Sequence, residues 1–346
     1  MFLVGRIGLE GEKPAQGRVG EFDEEVFEEV RAILHERGMP IIEQVRREIL
    51  SRPIKPKGAY EAVKYFLDYW VDLTRPTLLI TACEALGVNP ELAYPLAKAL
   101  ILISGGIDVH DDLIDGSEVK FGKKTLLGRF GEDLALLVGD ALIMEGYTYL
   151  YELSELVGVE KTSRIAKLIR DYFFELGEAE AGELSFRGRL DWTPTEALKV
   201  IRMKAADVEG YMRMATVLAG APRQVEEALA EYGRILGMLV IMKDELADTL
   251  LEDELRHRME RETLPLPLLY AICRDEARER IKSILEGGRL TEMEVREIIQ
   301  IVDDAGGFKR VVEEMKKLGD RAISCLSGVG LESSRVLVLL VRAVTP

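Results

Sequence analysis

Ala99-Leu100-Ile101-Leu102-Ile103-Ser104-Gly105-Gly106-Ile107-Asp108-Val109-His110-Asp111-Asp112-Leu113-Ile114-Asp115 is an apolar run that ends in a crowd of carboxylates. On a helix, Asp111 and Asp115 lie one turn apart and share a face, so together they can bind a hard divalent cation through oxygen. Without a cation or a basic partner, acids crowded on one turn repel and weaken the helix, so the string calls for a counter-charge. Taken alone, it fits an acidic helix end turned to solvent equally well. A second stretch tips the balance. Apolar Ile235 to Met242 runs into Lys243-Asp244-Glu245-Leu246-Ala247-Asp248-Thr249-Leu250-Leu251-Glu252. Asp244, Asp248 and Glu252 recur every four residues, which predicts one carboxylate stripe rising about 6 Å per step. Two acidic stripes, each closing an apolar helix, predict a Mg²⁺ site in which they face each other across a bundle and bridge to a substrate phosphate.

The rest of the sequence supplies the setting. The chain has 346 residues, 47% hydrophobic and 31% charged, with 46 Lys and Arg against 61 Asp and Glu, a net charge of −15. Such a length suits one large or two ordinary domains with a substantial core, and the deficit of cations argues against nucleic acid as a partner. Apolar residues return at helical spacing in Val26, Val30, Ile33 and Leu34, and again in Tyr60, Val63, Phe66, Leu67 and Trp70. Breaks are expected at Gly38 to Pro40, Pro53 to Gly58, Gly87 to Pro90, Asp115 to Thr125, Leu184 to Pro194, Ala219 to Pro222, Leu251 to Thr263 and Glu286 to Thr291. The segments between them have helical lengths, and no alternating pattern predicts a sheet. The expected class is therefore all-α, an extended arm over residues 1–22 followed by one helical domain over 23–346. Thr193-Pro194-Thr195-Glu196 predicts a capped helix start.

Cys83, Cys273 and Cys325 are too scattered for a disulfide framework or a C-x-x-C site, which favours the cytoplasm. His35, His110 and His257 leave any metal to carboxylates. No signal peptide is read at the start, and Val336 to Val341 is far too short to span a membrane, so no membrane span is expected.

Arg75-Pro76-Thr77-Leu78-Leu79, Asp111-Asp112-Leu113-Ile114-Asp115, Gly139-Asp140-Ala141-Leu142, Lys204, Leu236-Gly237, Asp244 with Asp248, and Thr263-Leu264-Pro265 occur in an order that resembles the (E)-polyprenyl diphosphate synthase family, of the isoprenoid synthase fold. The resemblance covers most of residues 60–275. It implies a deep apolar cavity within an antiparallel helical bundle, three Mg²⁺ ions, an allylic prenyl diphosphate substrate and a homodimer, for which Leu134 to Ile143 offers an apolar face. By residue, it implies metal ligands at Asp111, Asp115, Asp244, Asp248 and Glu252, with Asp111, Asp112, Asp115, Lys204 and Asp244 as catalytic positions. Arg75, Lys120, Lys204 and Arg261 would contact diphosphate. Mg²⁺ and lysine charges would stabilise departing pyrophosphate, while a dry cavity shields the carbocation.

The sequence departs from that family where the acceptor, isopentenyl diphosphate, would bind. Asp72 stands where the family has a lysine, Phe121 replaces the second of two arginines, and Ser104 lies at a His or Gln position. Ala205 replaces a threonine and Ile241 a glutamine. Each lost ionic hydrogen bond is worth about 1.5–3 kcal/mol, so acceptor affinity is expected to fall by orders of magnitude unless Lys55, Lys57, Lys123 or Lys124 compensates. Side chains one turn before Asp111, namely Ile103, Gly106 and Ile107, are expected to line the chain pocket. Two helical glycines at Gly105 and Gly106 cost about 1 kcal/mol each, consistent either with room for about fifteen to twenty-five carbons or with a kink. Asp108 occupies a usually apolar position, facing away from the cavity or acting on a cation or proton.

Three expectations follow. The first is an Mg²⁺-dependent enzyme that ionises a long allylic diphosphate, then cyclises it or passes it to an unusual acceptor. The second is ordinary elongation with isopentenyl diphosphate. The third is a non-catalytic prenyl-diphosphate-binding subunit of a heteromer. The charged segment Leu251 to Arg261 is read either as a lid that folds over substrate or as a plain loop.

Overall fold

The computed structural model describes residues 22–120, 122–286, 290–331 and 334–346. Helix α1 (Glu24–Leu50) runs unbroken through Pro40. The break expected at Gly38 to Pro40 is absent because the apolar face continues across it, from Val30 and Leu34 to Ile41, Ile42 and Val45, all buried. Gly38 also lets the backbone of Leu73 approach, since a Cβ there would lie 3.0 Å from the Leu73 carbonyl oxygen. Of the expected N-terminal arm, residues 1–21 lie outside the described residues.

The order continues with α2 (Lys57–Tyr69), α3 (Thr74–Ala85), a 3₁₀ turn (Pro90–Ala93), α4 (Tyr94–Asp115), the hairpin strands β1 (Val119–Lys120) and β2 (Lys123–Lys124), and α5 (Leu126–Phe130). Then come α6 (Glu132–Val157), α7 (Val159–Leu184), α8 (Pro194–Lys204), α9 (Ala206–Ala219), α10 (Arg223–Leu250), α11 (Glu252–Arg261) and α12 (Leu266–Ala271). The C-terminal part holds α13 (Asp275–Leu285), α14 (Glu292–Asp304), α15 (Gly307–Ser327) and α16 (Arg335–Val344). The all-α expectation holds, with one two-stranded hairpin among the described residues that alternation could not reveal in strands of two residues. The segment expected to break from Leu251 to Thr263 contains α11.

The chain divides into two compact units. One comprises Arg31–Lys167 and Met214–Ala221; the other takes the described residues up to Val30, Leu168–Arg213 and Pro222–Pro346. In the first unit α4 and α6 are closely apposed through glycines. A Cβ on Gly106 would lie 2.6 Å from the Gly139 carbonyl oxygen and 2.6 Å from Ile143, and one on Gly146 would lie 2.7 Å from Ile103. Ile103 and Gly106, expected to line the chain pocket, lie at the α4–α6 crossing, and the ring of Phe66 lies beside Gly105. Ile107 is half-buried. The stretch Pro90–Asp115 is long and apolar enough to cross a membrane, yet 78% of its most apolar window is buried inside the protein.

In the second unit α10 packs against α15, α8, α12 and α16. Gly237 brings α10 against Ala205, whose Cβ would be 2.7 Å from a Cβ on that glycine. The predicted helix start is present: Thr193 caps α8, and Glu196 returns a 2.9 Å bond to the Thr193 amide. Lys243 is almost wholly buried on α10, 4.8 Å from the ring centre of Phe27 and 3.4 Å from the Ala343 carbonyl oxygen. Burial pushes its pKa down to about 8, with Asp244 opposing the shift. Because the unfolded chain keeps more protons than the folded one between that value and the ordinary lysine range, stability should rise with pH above about 8. Lys243→Met should raise stability at pH 7 by on the order of 2 kcal/mol, an advantage that narrows toward pH 10 in denaturant titrations.

Candidate active site

Gly116, at φ 65°, ends α4 immediately after Asp115 by adopting the left-handed conformation that glycine tolerates. Asp111, Asp112 and Asp115 therefore occupy the end of a helix, where the backbone dipole is negative and carboxylates are disfavoured. The chain supplies its own answer. Ser117 donates its amide to the Asp112 carbonyl oxygen at 2.9 Å, and Thr125 donates its hydroxyl to the Ser117 carbonyl oxygen at 2.7 Å. The hairpin so formed brings Lys120 Nζ to 2.5 Å from Asp112 and 3.5 Å from Asp111. Burial lifts the Asp112 carboxyl to about 6 despite Lys120. Burial also disfavours the Lys120 ammonium, but Asp111 and Asp112 outweigh it and raise its pKa. Asp112 is buried, whereas Asp111 and Asp115 are half-buried.

One turn back, Asp108 accepts a 2.9 Å hydrogen bond from Trp70 Nε1, and Arg75 Nη1 lies 3.9 Å from it. Asp108 thus faces α2 and α3, and burial raises its pKa against the pull of Arg75 and Lys120. Arg75, expected to hold diphosphate, is buried and bound at 2.8 Å to fully buried Asp72. Asp72 also accepts the Thr74 amide at 2.9 Å, and these bonds help hold its carboxyl below the ordinary range although burial opposes ionisation. Ser104 is buried, while Lys55 and Lys57 are exposed; Phe121 lies outside the described residues.

In the second unit Asp244 and Asp248 are half-buried one turn apart near the end of α10. Glu252 does not extend their stripe. The helix stops at Leu250, Leu251 is extended, and Glu252 opens α11, where it pairs with Arg296 at 2.7 Å. Arg261 is exposed at the last turn of α11, so it is not the basic partner of these acids. That partner is Arg258, which sequence reasoning missed: it is buried, 3.2 Å from Glu245 and 3.4 Å from Asp248. Its spacing from buried Leu255 and Met259 on α11 was the available signal. Lys204 closes α8 at the break before α9 and is bound by Glu180 at 2.7 Å and by Glu183. Neither glutamate was anticipated.

The acids offer only hard oxygen donors, the chemistry that suits Mg²⁺. Among the described residues no three His, Cys, Asp or Glu side chains converge into a closed metal site. An open set of one or two carboxylates per ion fits Mg²⁺, which commonly keeps waters and takes substrate phosphate as its remaining ligands. Arg258 is the structural counterpart on the second unit. Arg258→Ala leaves Glu245 buried without its cation and should cost about 3–5 kcal/mol in urea unfolding, whereas the exposed Arg261→Ala should cost less than about 0.5.

The family model described as polyprenyl synthetase matches residues 57–302. Geranylgeranyl diphosphate synthase of Methanosarcina mazei is 29% identical over 202 residues, 58% of this chain and 61% of that enzyme's length. A short chain isoprenyl diphosphate synthase of Methanothermobacter thermautotrophicus is 27% identical over 286 residues, 80% of this chain and 86% of that protein. Among solved structures, geranylgeranyl pyrophosphate synthetase from Pyrococcus horikoshii shares the fold with a TM-score of 0.81 at 23% identity, over 92% of this chain and 98% of that one. A polyprenyl synthase from Caulobacter crescentus, complexed with calcium and isoprenyl diphosphate, has a TM-score of 0.76 at 22% identity, over 91% of this chain and 97% of that one. With the family model spanning most of its length, the chain belongs to the polyprenyl synthetase family.

Proposed function

We propose that the protein is an Mg²⁺-dependent prenyltransferase that lengthens an allylic prenyl diphosphate with isopentenyl diphosphate and releases pyrophosphate. The observation that carries this reading is the pair of carboxylate-bearing helix ends, Asp111 with Asp115 and Asp244 with Asp248, each neutralised by the chain's own cation, in a chain of this family. The curated relatives described above are named as diphosphate synthases, which favours elongation over the cyclisation that the sequence placed first.

Asp111, Asp115, Asp244 and Asp248 would hold the metal; bound Mg²⁺ supplies charge that stabilises the departing pyrophosphate. Three ions remain the number proposed. Lys204 and Lys120 then act as a reserve of positive charge. Lys120 is held by Asp111 and Asp112 and would turn to the diphosphate once metal satisfies Asp111, while Lys204, held by Glu180 and Glu183, would be drawn by the diphosphate's own charge. Asp112, with its carboxyl at about 6, anchors Lys120. Residues 23–346 are proposed to work as one synthase domain in a homodimer, supported by exposed apolar side chains on α6, where Leu137, Met144 and Tyr151 are 62%, 65% and 77% exposed. The free cysteines Cys83, Cys273 and Cys325 support a cytoplasmic site.

A second reading, ionisation followed by cyclisation or transfer to another acceptor, is favoured by one observation: Asp72 occupies Arg75, a residue expected to meet diphosphate. Incubation of the protein with Mg²⁺ and farnesyl or geranylgeranyl diphosphate, with and without isopentenyl diphosphate, separates the two. Elongation predicts a product longer by five carbons only when the acceptor is present. Pyrophosphate release at the same rate without acceptor, and no longer product with it, would establish the second reading instead.

A further inference from the structure

A cavity of about 550 Å³ opens in the first unit between α2, β2 and α5, lined by Tyr65, Asp68, Tyr69, Lys123, Lys124 and Arg129. Its charge is unusual in so acidic a chain. Among the described residues, no ion pair is formed by Lys123, Lys124 or Arg129. The wall's single acid, Asp68, is already neutralised by Arg46 at 3.1 Å and by Lys64.

The walls are also set in place. Tyr65 donates its hydroxyl to the Lys124 carbonyl oxygen at 2.5 Å, tying β2 to α2. The Arg129 guanidinium lies 4.1 Å from the ring centre of Tyr65, which holds the fork flat and leaves its N–H edge for a ligand. Tyr65, Asp68 and Tyr69 share one face of α2 by their spacing. Two lysines and a stacked arginine in one concavity, without internal acids to satisfy them, suit a multiply charged, oxygen-rich anion of diphosphate type.

The position of the cavity narrows the choice of anion. In the hairpin Lys120 pairs directly with Lys123, so one residue of a register pair serves Asp111 and Asp112 while its neighbour lines the cavity. Tyr69, in the cavity wall, lies within electrostatic reach of both Asp112 and Lys120. The cavity is therefore next to the acidic end of α4 but supplied with its own cations. Arg75, by contrast, is sealed against Asp72. We propose that this cavity binds the diphosphate of the second, homoallylic substrate, through Lys123, Lys124 and Arg129 rather than through Arg75. The proposal rests on the reading of the enzyme as one that joins two diphosphate substrates.

Steady-state kinetics of the Lys123→Glu/Lys124→Glu variant test it, with isopentenyl diphosphate and the allylic diphosphate varied in turn. Both lysines are exposed, so melting should be unchanged. The KM for isopentenyl diphosphate should rise about 30-fold or more, and that for the allylic substrate by less than about threefold. Lys123→Arg/Lys124→Arg should restore the wild-type KM. Wild-type elongation with an unchanged KM for isopentenyl diphosphate in the charge-reversed variant would overturn the cavity assignment alone, as would an equal rise in both KM values. Inhibition by inorganic pyrophosphate that the variant loses, and that competes with neither substrate, would mark a free-anion site and also overturn it. Absence of elongation by the wild type would overturn the functional reading itself, and the proposal with it.

Discussion

Carboxylates at the C-terminal end of a helix face the negative pole of the backbone dipole as well as one another. The chain places clustered acids in that position at the ends of α4 and α10, and much of the local architecture there answers the resulting demand for positive charge. On α4 the answer is a short hairpin, with Val119 paired to Lys124 and Lys120 to Lys123, which returns Lys120 to Asp112. On α10 it is a short helix begun at Glu252, which returns Arg258 to Glu245 and Asp248.

Much of this was legible in the sequence, for a physical reason. Burial dictates periodicity, so long amphipathic helices announced themselves, and acids that close an apolar run are costly enough to be noticed. What was missed depended on where helices stop and which side chains return. The four-residue spacing of Asp244, Asp248 and Glu252 means one stripe only if the helix continues, and no glycine or proline marks its end at Leu250. Glu252-Asp253-Glu254 was the overlooked sign, since three acids favour the first turn of a new helix. Arg258 was obscured by Arg261 because the choice between them depends on the face α11 buries.

Glycine gave the other ambiguity. Gly105 and Gly106 were open to two explanations, space for a ligand or a backbone requirement, and local sequence treats both alike. In the fold, the Gly139 carbonyl oxygen and Ile143 lie where a Gly106 side chain would, and Phe66 lies beside Gly105. The charge exchange at Asp72 was visible as a loss of positive charge. Only the structure reveals its further effect, the engagement of Arg75 by a fully buried carboxylate that a diphosphate would have to displace.

The central claim is that the acids closing α4 hold metal for departure of pyrophosphate, with Lys120 as their resting counter-charge. The most direct test is the rate of pyrophosphate release from an allylic diphosphate, across a Mg²⁺ titration with acceptor present, in wild type and Asp111→Asn/Asp115→Asn. The account predicts a Mg²⁺-dependent wild-type rate and a loss of about a thousandfold in the variant, equivalent to about 4 kcal/mol of transition-state stabilisation. A variant that keeps its rate within about tenfold, at the same Mg²⁺ midpoint, would contradict it.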